Sequence, residues 1–337
     1  MNRVKRWEQL KNYESFELVK KDYFERHGRT PNTAHAREIA AAFAHSRSYF
    51  MAAQDAEQTV KPLLLYYGVV SLSRGMTLAL SRGMREAALA QAHGLSVREW
   101  NDELSKENPD FSLLTVEVNQ AGSFLDLAQA TGNRSLLRHN SSGVNYRHEN
   151  PPIAPQSQYA LGDILARLPA LQDHYRRWEE VGACSMFQMQ VLRDSDEVVF
   201  KIPRLAHLPH VTRAFADAIF QNSNHVFQSE TPEFFEYRCP NDQQVVPGMT
   251  DHTTHWSIGD VWLTRRHPNG SNLSSTATLF LLSYMLGMLV RYFPTKWTAL
   301  VRSQIGDSAL PTIAAAIDLI EDEYPRVVLD FMLEKRQ

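Results

Sequence analysis

Apolar residues recur at spacings of three and four through the first hundred positions, a period that predicts helices. Trp7, Leu10, Tyr13, Phe16, Val19 and Tyr23 mark one over residues 5–26, stopped by His27-Gly28. Pro31-Asn32-Thr33 restarts the chain, and Ile39, Phe43, Tyr49, Phe50 and Ala53 place a second helix over 34–56. Beyond Thr59-Val60-Lys61-Pro62, where Pro suits a first helical turn, residues 63–82 are apolar on most faces. That is the pattern of a buried helix. Gly68 and Gly75 lie on one side of it. Each costs about 1 kcal/mol against Ala inside a helix, so their retention predicts close approach of a neighbouring backbone. Arg74 interrupts the apolar pattern and needs solvent or a carboxylate. Residues 83–95 read as a short helix ended at His93-Gly94.

The pattern changes near residue 100. Phe111–Val118 alternates and is rich in β-formers, so it predicts a strand. Residues 131–158 contain Gly, Asn, Ser and Pro in number and read as a long surface loop. This loop carries the densest basic cluster in the chain: Arg134, Arg138, His139, Arg147 and His148. Residues 161–178 are amphipathic, and 210–220 predict another helix. Strand-like runs cover 183–192, 198–202, 234–238 and 256–264, with Asp194-Ser195-Asp196 as a hairpin turn. Helical periodicity returns over 276–293 and 307–333, the last helix bent at Pro325. The predicted class is α+β, predominantly helical. A helical bundle is built from both chain ends, 1–105 and 272–337, with a small antiparallel-sheet section inserted over 106–271.

Composition narrows the function classes. The 337 residues are 43% hydrophobic and 22% charged, with a net charge of −3. That balance argues against a broad basic nucleic-acid face. Arg outnumbers Lys, so a local phosphate-binding fork stays open. Cys184 and Cys239 make neither a disulfide framework nor a zinc knuckle. The N-terminal stretch has no apolar core of a signal peptide, and the apolar run Thr276–Val290 is too short to span a bilayer. A cytoplasmic protein without a membrane partner is expected.

Signature loops and elbows of ATPases, dehydrogenases, α/β-hydrolases and zinc proteases are missing from the sequence. No catalytic residue is assigned and no cofactor is expected. Asp251-His252-Thr253-Thr254-His255 resembles part of a metal site, but no third His or Cys stands at ligand spacing, so no metal is expected either. Two sets of residues remain as candidate binding groups. Arg47, Arg74 and His93 fall on or beside the central helices, with Arg291 on the late helix as a fourth member; together they would suit an anionic ligand. Arg134, Arg138 and His139 of the basic loop would suit nucleic acid.

Three segments carry a family resemblance: HSRSYFMAAQDAEQTVKPLLLYYGVVSLSRGMTL at 45–78, AHGL at 92–95 and SSTATLFLLSYMLGMLVRYFPTKW at 274–297. In sequence and in spacing they resemble the YaaC-like family of bacterial proteins, which implies a bacterial cytoplasmic protein and supplies no mechanism. Tyr49, Ala52 and Ala53, followed by a buried helix, are also similar to HEPN helical bundles. That second resemblance implies a ribonuclease with Arg and His separated by four to six intervening residues on a late helix. Such pairs occur at Arg29/His35, Arg134/His139, Arg167/His174 and Arg204/His210, and roughly three are expected by chance in so Arg- and His-rich a chain. None lies on 276–293. The functional expectation is therefore a protein that acts by binding a protein partner, a further copy of itself, nucleic acid or a nucleotide, in a bacterial stress or antiphage defence setting. The alternatives are a HEPN-like ribonuclease and a regulator of a nucleotide-metabolism enzyme.

Overall fold

The second and third long helices meet through glycine. In a computed structural model of the chain, Gly68 faces the Phe50 ring so closely that a Cβ there would lie 2.8 Å from Phe50 Cδ2. Gly75 faces Phe43 at the same distance. The residues described are 3–137, 146–179, 186–193, 196–204, 211–220, 225–240, 252–257 and 260–334.

The elements in chain order are α1 (Arg3–Leu10), α2 (Phe16–His27), α3 (Thr33–Gln54), α4 (Lys61–Leu80), β1 (Leu95–Arg98), α5 (Trp100–Ser105), β2 (Thr115–Val118) and α6 (Ser123–Thr131). There follow β3 (Arg134–Leu137), β4 (Tyr146–Glu149), β5 (Gln158–Ala160), α7 (Leu161–Leu165), α8 (Gln172–Trp178), β6 (Met186–Arg193), β7 (Glu197–Pro203), α9 (Arg213–Phe220), β8 (Val226–Glu230) and β9 (Phe234–Pro240). The last are β10 (His252–Ser257), β11 (Asp260–Arg265), α10 (Ser275–Tyr292), α11 (Pro294–Val301) and α12 (Leu310–Leu333). The class is α+β and mostly helical.

The chain forms two compact units. The first holds Met1–Asn133, Pro152–Ile164 and Ser275–Gln337; the second holds Arg134–Pro151 and Leu165–Ser274. Residues 106–133 and 152–164, assigned by composition to the inserted section, thus cluster with the helices.

In the first unit α4 is the central element. It packs on α3, α6, α10 and α12. Asn32 caps α3 by accepting from the His35 backbone N–H at 2.8 Å, and Pro62 occupies the first turn of α4. The Phe43 and Phe50 rings of α3, both 1% exposed, fill the glycine gaps on α4. The close neighbour of these glycines is therefore an aromatic ring, where the sequence predicted a backbone. Gly287 of α10 does the same for Tyr66 of α4: a Cβ there would stand 2.8 Å from Tyr66 Cβ. By length and apolarity α4 could cross a membrane, but 67% of its apolar window is buried in the protein. A buried carboxylate, Glu321 of α12, takes Lys61 of α4 at 2.7 Å and Arg3 of α1 at 3.0 Å, pinning three helices together.

A three-stranded antiparallel sheet, β1-β2-β5, belongs to this unit. Several elements differ from the sequence reading. Residues 5–26 break into α1, a 3₁₀ turn at Lys11–Glu14 and α2. Residues 83–95 hold only a 3₁₀ turn at Glu86–Ala88, and Gly94 leads into β1 instead of capping a helix. Phe111–Leu113 is a 3₁₀ turn ahead of the shorter strand β2. Pro169 splits the 161–178 helix into α7 and α8, as a ring without N–H should. Pro325, by contrast, is accommodated inside α12.

The second unit is built on a six-stranded antiparallel sheet, β10-β11-β6-β7-β9-β8. Val198, Phe200 and Ile202 of β7 and Phe235, Tyr237 and Cys239 of β9 form one buried face. Phe220 of α9 packs there, 5.5 Å from Phe200 and 4.5 Å from Tyr237 between ring centres. The predicted loop 131–158 contains a hairpin, β3 with β4, in which Arg134 faces Glu149.

Replacing Gly68 by Ala should destabilise the protein by roughly 1–2 kcal/mol in chemical denaturation. Overpacking against a fixed ring costs about 1–3 kcal/mol, more than the helix-propensity gain of about 1 kcal/mol. Adding Phe50→Leu should restore part of the loss; a more stable single variant would show that the ring is not seated there.

Three histidines set a pH window. His35, 4% exposed, is held below its usual pKa by burial, against a hydrogen bond to the Leu78 carbonyl. His225, between Phe200 and Phe220, is pushed down to about 4 by burial. His267 lies well below the usual range through burial first and Arg167 second. All three are neutral when folded, while the unfolded chain protonates near pH 6.5. Their contribution is complete above that pH and is lost as pH falls toward 4. The melting midpoint should hold steady from pH 8 to 7 and drop from 6.5 downward. A midpoint independent of pH over 6.5 to 4 would contradict this.

Candidate functional site

The segment Ala92-His93-Gly94-Leu95 is fixed at every carbonyl. Ser123 N–H donates to Ala92 O at 2.9 Å, Phe124 N–H to His93 O at 3.1 Å and Asn119 N–H to Gly94 O at 2.9 Å. The Tyr284 hydroxyl donates to Leu95 O at 2.9 Å. Two of these donors belong to the first turn of α6, whose N–H groups have no partner within the helix. Gly94 and Gly122 make the crossing possible. Both have positive φ, 82° and 149°, and a Cβ on Gly122 would lie 2.1 Å from Gly94 Cα. No side chain fits at either position, so the backbone of His93 is held in one place.

The ring of His93 is also fixed. Its Nδ1 lies 2.5 Å from the Tyr66 hydroxyl, and Tyr66 and Tyr284 flank it at 5.4 and 6.0 Å between ring centres. Burial, then the neighbouring phenols Tyr284 and Tyr67, raises the Tyr66 pKa far above the usual phenol value. Tyr66 therefore keeps its proton. Among the described residues the only partner of that hydroxyl is His93; with Tyr66 as the donor, Nδ1 accepts. The imidazole then carries its own proton on Nε2. Burial first and Arg291 second lower its pKa, so it is neutral at pH 7. Nε2–H is thus an open donor on a half-buried, immobile ring, with no partner among the described residues.

Arg291 sits in the last turn of α10, exposed, its guanidinium 5.0 Å from the centre of the Tyr292 ring. It makes no ion pair among the described residues. Its charge acts on His93, Tyr66 and Tyr284, and the Tyr292 hydroxyl acts on the last two. Burial and then Tyr292 push the Tyr284 phenol up to about 12. The cluster therefore consists of one imidazole, one guanidinium and the phenols of Tyr66, Tyr67, Tyr284 and Tyr292. No carboxylate charge acts on His93 or Tyr284 among the described residues. Such a set offers donors and calls for a ligand rich in acceptors.

Of the residues singled out from sequence, Arg291 acts electrostatically on His93. Arg47 and Arg74 do not join them. Arg47 is bound in a fork by Glu14, at 2.6 and 2.9 Å, and Arg74 faces Glu86 at 3.6 Å. Each finds the carboxylate that a cation on an apolar helix needs, so both read as structural ion pairs. Arg134 lies in β3 of the second unit, while Arg138 and His139 fall outside the described residues. No group of three or more metal-binding side chains occurs among the described residues; Asp251 lies outside them, and residues 252–257 form strand β10. Sequence reasoning missed Tyr66, Tyr284 and Tyr292. Tyr66 and Tyr284 were concealed by their position in apolar helices. Tyr292 stands apart from the neighbouring aromatics: Phe293 packs on Trp100 and buried Trp297 donates to Gln58 O.

No curated protein and no solved structure matches the chain. The model of the family described as YaaC-like protein matches residues 8–332, nearly the whole length and all the segments that build this cluster. The chain belongs to the YaaC-like family.

Proposed function

We propose that this protein acts by binding, and that its helical unit holds the phosphate of a ligand between Arg291 and His93. The observation that carries the reading is the exposed Arg291, without a carboxylate partner among the described residues, whose charge acts on the half-buried His93 that Tyr66 holds at Nδ1. Guanidinium and imidazole N–H groups match phosphate oxygens in charge and in geometry. Gly94, Gly122 and the four fixed carbonyls pre-organise the histidine, so little ordering cost remains at binding.

The same hydrogen bonding favours binding over catalysis. A ribonuclease would need an imidazole that gains and loses a proton near neutral pH. Here Tyr66 occupies Nδ1, and burial and Arg291 both disfavour the charged ring. His93 is built to donate to an oxygen. The protein then works as a ligand-responsive binding component, compatible with a regulatory role toward a partner.

The test is the thermal midpoint of the full chain with inorganic phosphate, pyrophosphate and a panel of phosphate esters. A true ligand at a hundred times its Kd stabilises the fold by about 2.7 kcal/mol. Arg291→Ala should weaken binding roughly 10- to 100-fold, the worth of a charged hydrogen bond of about 1.5–3 kcal/mol. Arg74→Ala, which removes a structural ion pair, should leave affinity unchanged. Midpoints insensitive to the whole panel, or equal binding by Arg291→Ala, would sink the proposal.

A further inference from the structure

We infer that the phosphate compound is a nucleotide, and that its base stacks on Tyr292. This rests on the phosphate reading above and names the rest of the ligand. Helix α10 is buried continuously from Thr276 to Val290, and exposure then begins abruptly at Arg291 and Tyr292. Tyr292 is 58% exposed, and its ring meets no other aromatic ring among the described residues. Its one ring contact is Arg291, at 5.0 Å. The charge of Arg291, the residue beside it, acts on His93.

An aromatic ring of this size, wet on one face and backed by a guanidinium, is a platform for another flat π-system. A bare phosphate would use Arg291 and His93 and leave Tyr292 idle. A phosphate carrying a planar base uses all three at once. The cation that neutralises the phosphate also lies near the tyrosine ring, as in single-strand and nucleotide sites where aromatic stacking and cations cooperate. Two sources share this chemistry: a free nucleotide, or the 5′-phosphorylated end of a single strand.

The experiment is calorimetric titration of the full chain with inorganic phosphate, ribose 5-phosphate, the nucleoside 5′-monophosphates and a 5′-phosphorylated tetranucleotide. At least one nucleotide should bind roughly five- to hundredfold tighter than ribose 5-phosphate, the range that stacking supplies. Tyr292→Ala should bring that nucleotide to the level of ribose 5-phosphate and leave ribose 5-phosphate itself unchanged. Tyr292→Phe should keep the gain. A tetranucleotide tenfold tighter than its mononucleotide would identify a strand end; equal affinities would identify the free nucleotide. If wild-type protein binds nucleotides and ribose 5-phosphate equally, or Tyr292→Ala changes neither, the base inference falls while the phosphate site stands. If no phosphate compound binds, both fall.

Discussion

The first unit depends on aromatic rings seated in the gaps left by glycines. Phe50 and Phe43 of α3 rest on Gly68 and Gly75 of α4, and Tyr66 of α4 rests on Gly287 of α10. Three rings thus lock three successive layers, α3 on α4 on α10. The contacts are closer than side chain on side chain would allow, because the receiving position has no Cβ. Helix stability is given up at each glycine, by about 1 kcal/mol, and recovered in dispersion and in burial of large rings. The third seat has a further consequence. Tyr66 both fills the Gly287 gap and donates to His93, so the packing register of the core fixes the orientation of a polar residue.

That coupling explains what the sequence could reveal. Helix positions were legible because they rest on local periodicity: α3, α4, α10 and α12 fall close to where apolar spacing places them. The Gly68/Gly75 spacing was legible as a packing device, though not the ring that fills it, since the partner lies on another helix. Residues 83–95 were misread because Gly94 carries the left-handed backbone of a helix cap and serves a chain crossing instead. Only the position of Gly122 in space distinguishes the two uses. The hairpin of β3 and β4 was hidden for a related reason: its four-residue strands are too short to establish a period of two.

The candidate site shows the same division. Arg47 and Arg74 stand out in sequence because cations are unusual on apolar helices, and that very cost is why Glu14 and Glu86 neutralise them. Arg291, the fourth member of that set, lies in the last turn of a helix, where the dipole favours a cation and no burial cost arises. In space it is the cation left without a carboxylate beside His93. Conspicuousness in sequence therefore tracked the energetic difficulty of burial, which the fold solves, more than availability for a ligand. Tyr66 and Tyr284 escaped notice for the complementary reason: each is nine-tenths ordinary core, and only its hydroxyl belongs to the site.

What sets the cluster apart from an ordinary buried polar network is its imbalance. In the ion pairs of Arg47, Arg74 and Arg85, each cation faces a carboxylate, and donors and acceptors cancel. Around His93 the imidazole is hydrogen-bonded to Tyr66 and the Tyr284 hydroxyl donates to Leu95 O, with no carboxylate in the set among the described residues. A fold in search of stability alone would place a carboxylate there, as it does at the other three sites. Among the described residues no carboxylate pairs with Arg291, and His93 has Tyr66 as its hydrogen-bond partner. An anion bound there, as we propose, would supply the acceptors that the cluster lacks.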